Sequence, residues 1–293
     1  MLTNFLKYLQ VERNYSVQTI RAYGDDLRQF FSFCDLDTEQ SNLSEVSHRT
    51  IRTWLSSLMD TGHTPRTVNR KLSSLRSYFK YLAKQGVLTK DPLAKVIAPK
   101  MTKKLPVFLN TSEVNRMIDD IEFPEGFCGI RDLLILELFY FTGIRVSELT
   151  GLLVKNVNLS GNTIKVMGKG AKERIIPMHP ELKPLLVEYL NQKEELYPSN
   201  LISTLIVTNS GGQPYTQMLY RIVNRYMSMV TSLEKKSPHV LRHTFATHLL
   251  NQGADINAIK ELLGHADLSA TQVYTHTSIE NLKKTYKQAH PRA

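Results

Sequence analysis

Apolar side chains recur along the first 95 residues at spacings of three and four, the period of a helix with one buried face. Phe5, Leu6 and Leu9 mark a first helix, and Ile20, Tyr23, Leu27, Phe30 and Phe31 a second. Ile51, Trp54, Leu55 and Leu58 give a third, while Leu72, Leu75, Tyr78, Phe79 and Leu82 place a fourth over about 67–84. "TGHTP" at 61–65 reads as the turn between the last two, so the pattern predicts a four-helix unit. The stretch 91–106, "DPLAKVIAPKMTKKLP", holds three prolines and four lysines and has the composition of an interdomain linker.

From 107 onward the periodicity is mixed. Thr111 or Ser112 can cap a helix, a long apolar helix is expected over about 128–142, and "GIRVSELTGL" opens another after Gly143. "TIKVMGKGAKERIIP" alternates like a hairpin, with strands near 163–167 and 173–177. Helices are expected again after Pro180 and at about 216–230, 239–251, 255–263, 269–275 and 278–287. The predicted fold is mainly α. It consists of a helical domain over 1–97, a linker over 98–107, and a mixed, mainly helical domain over 108–293 with a small antiparallel β-sheet.

Charge narrows the class of partner. The 293 residues carry 37 Lys and Arg against 27 Asp and Glu, a net charge of +10, which favours a polyanion over an acidic small molecule. Both domains are basic, the first 100 residues holding 15 basic and 9 acidic side chains. The apolar run "LLILELFYF" at 133–141 is interrupted by Glu137 and too short to span a bilayer, so no membrane is expected. No signal-peptide pattern opens the chain, and Cys34 and Cys128 read as buried, reduced thiols of a cytoplasmic protein.

Candidate chemistry begins at "SPHVLRHTFATHLL", 237–250. His239 and His243 are four apart, as metal ligands can be, but no Glu lies between them and Arg242 sets a permanent positive charge beside them, so no metal is expected. His239 and Arg242 share a helical face suited to phosphate oxygens, or else serve as a capping His and a surface Arg. His243 and His248 read as structural or exposed. Arg145 follows a glycine at a helix start, where it can meet an anion or pair with Glu148. Lys169 sits in "GKGAKER" at a hairpin tip, either approaching a backbone or merely solvated. In "LLGHADLSATQVYTH", His265 ends one helix and Tyr274 follows nine residues later, where a helix-end His and a core Tyr are the plainer readings.

Taken in this order and spacing, Arg145, Lys169, His239, Arg242, His265 and Tyr274 resemble the active-site signature of the tyrosine recombinases of phage-integrase type. The likeness covers essentially the whole chain and is strongest to the Xer group, XerC and XerD. It implies a core-binding, SAM-like amino-terminal domain that grips DNA, and a catalytic domain that cuts and rejoins strands through a 3'-phosphotyrosyl bond to Tyr274. Chromosome dimer resolution is the role expected of that group; a mobile-element integrase or invertase is an alternative, as are a type IB topoisomerase-like relaxing enzyme and a non-catalytic architectural protein.

The chemistry fits those residue types. A phenol ionises near pH 10, so its anion lies about 4 kcal/mol away at pH 7. Arg145 and Arg242 can stabilise the approaching phenolate and the charge of the phosphorane, with no metal or other cofactor. Lys169 is the expected general acid on the departing 5' oxygen, His239 the acceptor or relay of the tyrosine proton, and His265 a phosphate hydrogen-bond donor, with the two histidine roles exchangeable. Arg66, Arg70, Lys71 and Lys172 are expected to contact the duplex. A carboxyl-terminal helix with Ile279, Leu282 and Tyr286 on one face is expected to dock on a neighbouring subunit, building a homo- or hetero-tetramer on two DNA sites. A paralogous recombinase and an activating protein are further possible partners.

Overall fold

The computed structural model describes residues 1–37, 43, 46–88, 90–101, 107–168, 173–198, 203–264, 286, 289, 291 and 292. The chain divides into two compact units, Met1–Lys104 and Leu105–Ala293.

The first unit is built from α1 (Leu2–Val11), α2 (Val17–Phe33), α3 (His48–Asp60) and α4 (Pro65–Lys84). Each of the last three starts on a hydroxyl cap: Ser16, Ser47 and Thr64 accept from the amides of Thr19, Thr50 and Thr67, satisfying donors that a helix start leaves open. The predicted apolar faces meet in one core in which Phe5, Leu27, Phe30, Trp54, Leu72, Leu75 and Tyr78 are buried. The proline-rich stretch is not linker throughout. Leu93 and Val96 are buried in this core, Arg52 Nη2 donates to the Lys95 carbonyl at 2.6 Å, and Asn69 Nδ2 donates to that of Pro99 at 2.9 Å.

The second unit opens with α5 (Thr111–Asn115), which continues into a π-helical turn, Arg116–Asp120. Its cap is Asn110, one residue earlier than the expected Thr111 or Ser112. Asn110 Oδ1 accepts from the Glu113 amide at 2.8 Å while Glu113 Oε2 accepts from the Asn110 amide at 2.9 Å, a reciprocal pair that neither hydroxyl can match. The apolar helix α6 (Phe127–Thr142) is buried almost all round, as a helix without a polar face must be. Around it lie α7 (Val146–Thr150), α8 (Leu182–Leu196), α9 (Thr216–Val230), α10 (Pro238–Asn251) and α11 (Ile256–Leu263).

A three-stranded antiparallel sheet, in order β1-β2-β3, completes the unit: β1 (Val157–Asn158), β2 (Thr163–Met167) and β3 (Glu173–Pro177). β2 and β3 occupy the expected hairpin positions, with Ile164 opposite Ile176 and Val166 opposite Arg174. β1 has only two residues, too few to produce an alternation in sequence. Cys34 and Cys128 are free thiols and half-buried rather than fully enclosed. The expected helices at 269–275 and 278–287 lie outside the described residues, apart from Tyr286, which is helical. Among the described residues no helix is long and apolar enough to cross a membrane.

Candidate active site

Two glycines prepare the site. Gly143 ends α6 and Gly264 ends α11, both in the left-handed conformation, with φ of 57° and 64°, which glycine adopts without steric cost. At Gly143 space demands glycine as well. A Cβ on Gly143 would lie 2.6 Å from Phe245 Cδ1, and one on Gly264 would lie 3.1 Å from Arg174 Cδ.

Each glycine offers its carbonyl to an arginine from another element. Arg242, on α10, donates through Nη1 to the Gly143 carbonyl and through Nη2 to the Leu263 carbonyl at 2.6 Å. Arg145, just before α7, donates through Nη2 to the Gly264 carbonyl at 3.0 Å. Arg174, on β3, donates through Nε to the Leu262 carbonyl at 2.9 Å. Three guanidiniums thus grip three consecutive carbonyls at the end of α11, where unsatisfied acceptors and the negative end of the helix dipole favour cations.

One carboxylate holds two of them. Glu148 Oε1 accepts from Arg145 Nη1 and Arg174 Nη1, both at 2.7 Å, and Oε2 accepts from the Arg145 amide and Arg174 Nη2, both at 2.8 Å. The predicted Arg145–Glu148 pair therefore forms, and it takes up the helix-start amide that an external anion would otherwise use. Burial by itself raises the Glu148 pKa, but the hydrogen bonds and charges of Arg174 and Arg145 outweigh it and bring the carboxyl down to about 2.

The positive charges crowd one another. Burial first, then Arg145 and Arg174, push the Arg242 pKa down to about 9, against the pull of Glu148, so the guanidinium stays charged at pH 7. The His239 pKa is lowered by partial desolvation first, then by Lys235, Arg242 and Arg145, which favours a neutral imidazole able to accept a proton. Arg145, 32% exposed at its side chain, uses two guanidinium donors internally, as does Arg242, and a guanidinium carries five.

The three histidines of the 237–250 stretch separate. His239 is exposed on the α10 start, with its ring 6.4 Å from that of Tyr220. His248 is buried: its Nδ1 meets the Tyr140 hydroxyl at 3.2 Å and its Nε2 the Leu109 carbonyl at 2.9 Å. His243 is half-buried with its ring edge-on to Phe108. Among the described residues no group of His, Cys, Asp and Glu could hold a metal ion.

The structure therefore brings together Arg145 and Arg242, adds Glu148 and Arg174, and sets His239 near enough for both catalytic-candidate arginines to act on its charge. Lys169, His265, Tyr274 and Lys172 lie outside the described residues. Of the cations expected on DNA in the first unit, Arg66 is exposed. Lys71 requires a correction: its ammonium is buried and donates to Asp26 Oδ1 at 3.0 Å and Gln29 Oε1 at 2.6 Å, because α4 turns this position inward. Arg70 also pairs with Asp26, through Nη1 and, at 2.8 Å, Nη2, though its side chain is still 47% exposed.

Comparison with known proteins decides the class. Residues 107–281 match the phage integrase family and residues 2–86 match the phage integrase N-terminal SAM-like domain. The chain belongs to the phage integrase family. It is 40% identical to tyrosine recombinase XerC of Thermodesulfovibrio yellowstonii, over 99% of this chain and 96% of that one. It is 37% identical to tyrosine recombinase XerD of Listeria monocytogenes, over 100% and 99%. A solved XerH site-specific recombinase bound to a palindromic difH substrate, in its post-cleavage complex, superposes with a TM-score of 0.73 at 27% identity, over 97% of this chain and 83% of that one. The chain is a tyrosine recombinase of the Xer type, a DNA strand-cutting and rejoining enzyme of site-specific recombination.

Of the carboxyl-terminal helix expected to dock on a neighbouring subunit, Ile279 and Leu282 lie outside the described residues and Tyr286 is described. Tyr286 and Ala289 are buried on the unit's own cluster of Phe245, Leu249, Ile259, Leu262 and Leu263, and the Tyr286 hydroxyl donates to the Phe141 carbonyl at 2.8 Å. Arg292 forks onto Asp119 at 2.8 and 2.9 Å and reaches Glu181 at 3.1 Å. Apolar burial and a bidentate ion pair hold this end in place.

Proposed function

We propose that this recombinase acts on one phosphodiester at a time in a duplex recombination site, with Tyr274 as nucleophile. The bond from the Tyr274 oxygen to phosphorus forms as the bond from phosphorus to the 5' oxygen breaks. The phenol proton passes to His239 or His265, and Lys169 supplies a proton to the departing 5' oxygen. Arg145 and Arg242 hold the two non-bridging oxygens, whose charge grows in the transition state. Because the phosphotyrosyl ester conserves the energy of the bond it replaces, a free 5' hydroxyl from another strand can reverse the step without ATP. The balance closes with no external cofactor.

One observation carries this reading: Arg145 and Arg242, 97 positions apart in the chain, hold the adjacent carbonyls of Gly264 and Leu263, and the residue next in sequence is His265. The catalytic unit begins near 108 in this reading, the helical unit over 1–97 grips the duplex, Arg66 contacts a phosphate, and Lys172 joins it from the hairpin. Assembly is as a tetramer on two sites, with a paralogue and an activating protein as further partners. In such an assembly the carboxyl-terminal segment leaves its own seat and occupies the equivalent seat of a neighbour. The cellular role assigned is resolution of chromosome dimers in the cytoplasm, supported by the end-to-end likeness to XerC and XerD proteins.

The test uses a duplex selected by the protein from a randomised library and nicked so that cleavage cannot reverse. The wild-type chain is expected to form a covalent protein–DNA adduct, and Tyr274→Phe none. An adduct that persists in Tyr274→Phe shows that another side chain attacks.

A further inference from the structure

Arg174 stands apart from the other two arginines of the cage. Its side chain is only 4% exposed, so it is placed to act on its neighbours and not on a phosphate. Among the described residues its contacts are both Glu148 oxygens, the Leu262 carbonyl, and a close approach to Gly264, where an added Cβ would lie 3.1 Å from Arg174 Cδ.

The geometry assigns Arg174 as a positioning residue for the catalytic arginines, acting through Glu148 and the end of α11. A carboxylate with one partner on each oxygen can pivot. Each Glu148 oxygen instead accepts one bond from Arg145 and one from Arg174, so the Arg174 fork fixes the plane in which Arg145 must lie. The Nε bond to Leu262 ties that fork to the helix turn whose next two carbonyls hold Arg242 and Arg145. The fork is planar and rigid, which a lysine cannot reproduce. Arg174 is also the second residue of β3, five positions after Lys169 in the same hairpin sequence. One side chain thereby joins three segments, α7, α11 and the hairpin, that the proposed chemistry needs in register. This assignment rests on the proposed function for the chemistry it serves.

The experiment measures duplex affinity and the single-turnover rate of adduct formation separately, on the selected nicked duplex, for wild type, Arg174→Gln, Arg174→Lys, Glu148→Gln and the Arg174→Gln/Glu148→Gln pair. Arg174→Gln is expected to slow cleavage about 100-fold while the dissociation constant changes less than about threefold. Arg174→Lys, which keeps the charge, is expected to recover about tenfold of that loss. The double variant should lose clearly less than the two single losses combined, because both residues hold Arg145 through one shared network. Wild-type cleavage by folded Arg174→Gln overturns the assignment, and so does a loss that lies wholly in affinity or is fully additive with Glu148→Gln. If Arg174→Gln fails to melt cooperatively, Arg174→Lys decides: slower cleavage at unchanged affinity supports the role, and the wild-type rate overturns it. Absence of any adduct from the wild-type chain would instead fail the proposed function.

Discussion

Asp26 in the amino-terminal unit and Glu148 in the carboxyl-terminal unit are both buried carboxylates surrounded by cations, and the surroundings differ in kind. Asp26 accepts from Arg70, Lys71 and the Ser74 hydroxyl, all on α4, and so pins α2 to α4. Glu148 meets Arg145 and Arg174 while Arg242 stands nearby, and backbone carbonyls rather than further acids complete the shell. Fixed peptide dipoles can hold a guanidinium in place without cancelling its charge. The first arrangement is cross-linking, whereas the second keeps an excess of positive charge, which the proposed function assigns to a phosphate.

The largest expected difference between the two is catalytic. Arg242→Ala should lower the single-turnover cleavage rate by about 10² to 10³, whereas Arg70→Ala should leave the rate on bound duplex within about twofold. An equal loss in both would erase the distinction between cage and cross-link.

The next effect is on stability. Asp26→Asn leaves two cations facing a group without charge and should destabilise the amino-terminal unit by about 3 kcal/mol. Trp54, the single tryptophan, is buried in that unit, so its fluorescence in a urea titration reports the change there. A midpoint unchanged from wild type would mean that the network holds nothing together.

The smallest effect concerns which cations of α4 meet DNA. Arg66→Ala should reduce the slope of log affinity against log salt by about 1, whereas Lys71→Ala should leave the slope unchanged and lower the urea midpoint. A reduced slope for Lys71→Ala would mean that its ammonium leaves Asp26 when DNA binds.

The helices were legible because each buries one face, which writes a period of 3.6 into the sequence; α6, apolar all round, was legible from its length and the glycine after it. The two-residue β1 leaves no period to detect. Arg145, His239 and Arg242 are visible through their spacing, whereas Arg174 stands in a run of charges, Lys172, Glu173 and Arg174, in which no motif position marks it out. A signal was present: in β3 it shares parity with Ile176, and in β2 the inward positions are Ile164 and Val166. A cation on the apolar side of a half-buried strand calls for a buried partner. Lys71 carried the same signal, falling beside Leu72 and between Val68 and Leu75 on the inner face of α4.

The arginine grip on the last turn of α11 also sets a leash. Gly264 is a fixed post, and Tyr274 stands ten positions beyond it. A fully extended chain covers at most about 3.5 Å per residue, so the Tyr274 Cα lies no farther than about 35 Å from that post. If Tyr274 is the nucleophile as proposed, any strand it attacks, whether held by the same subunit or by another, must come within that radius plus the length of the tyrosine side chain.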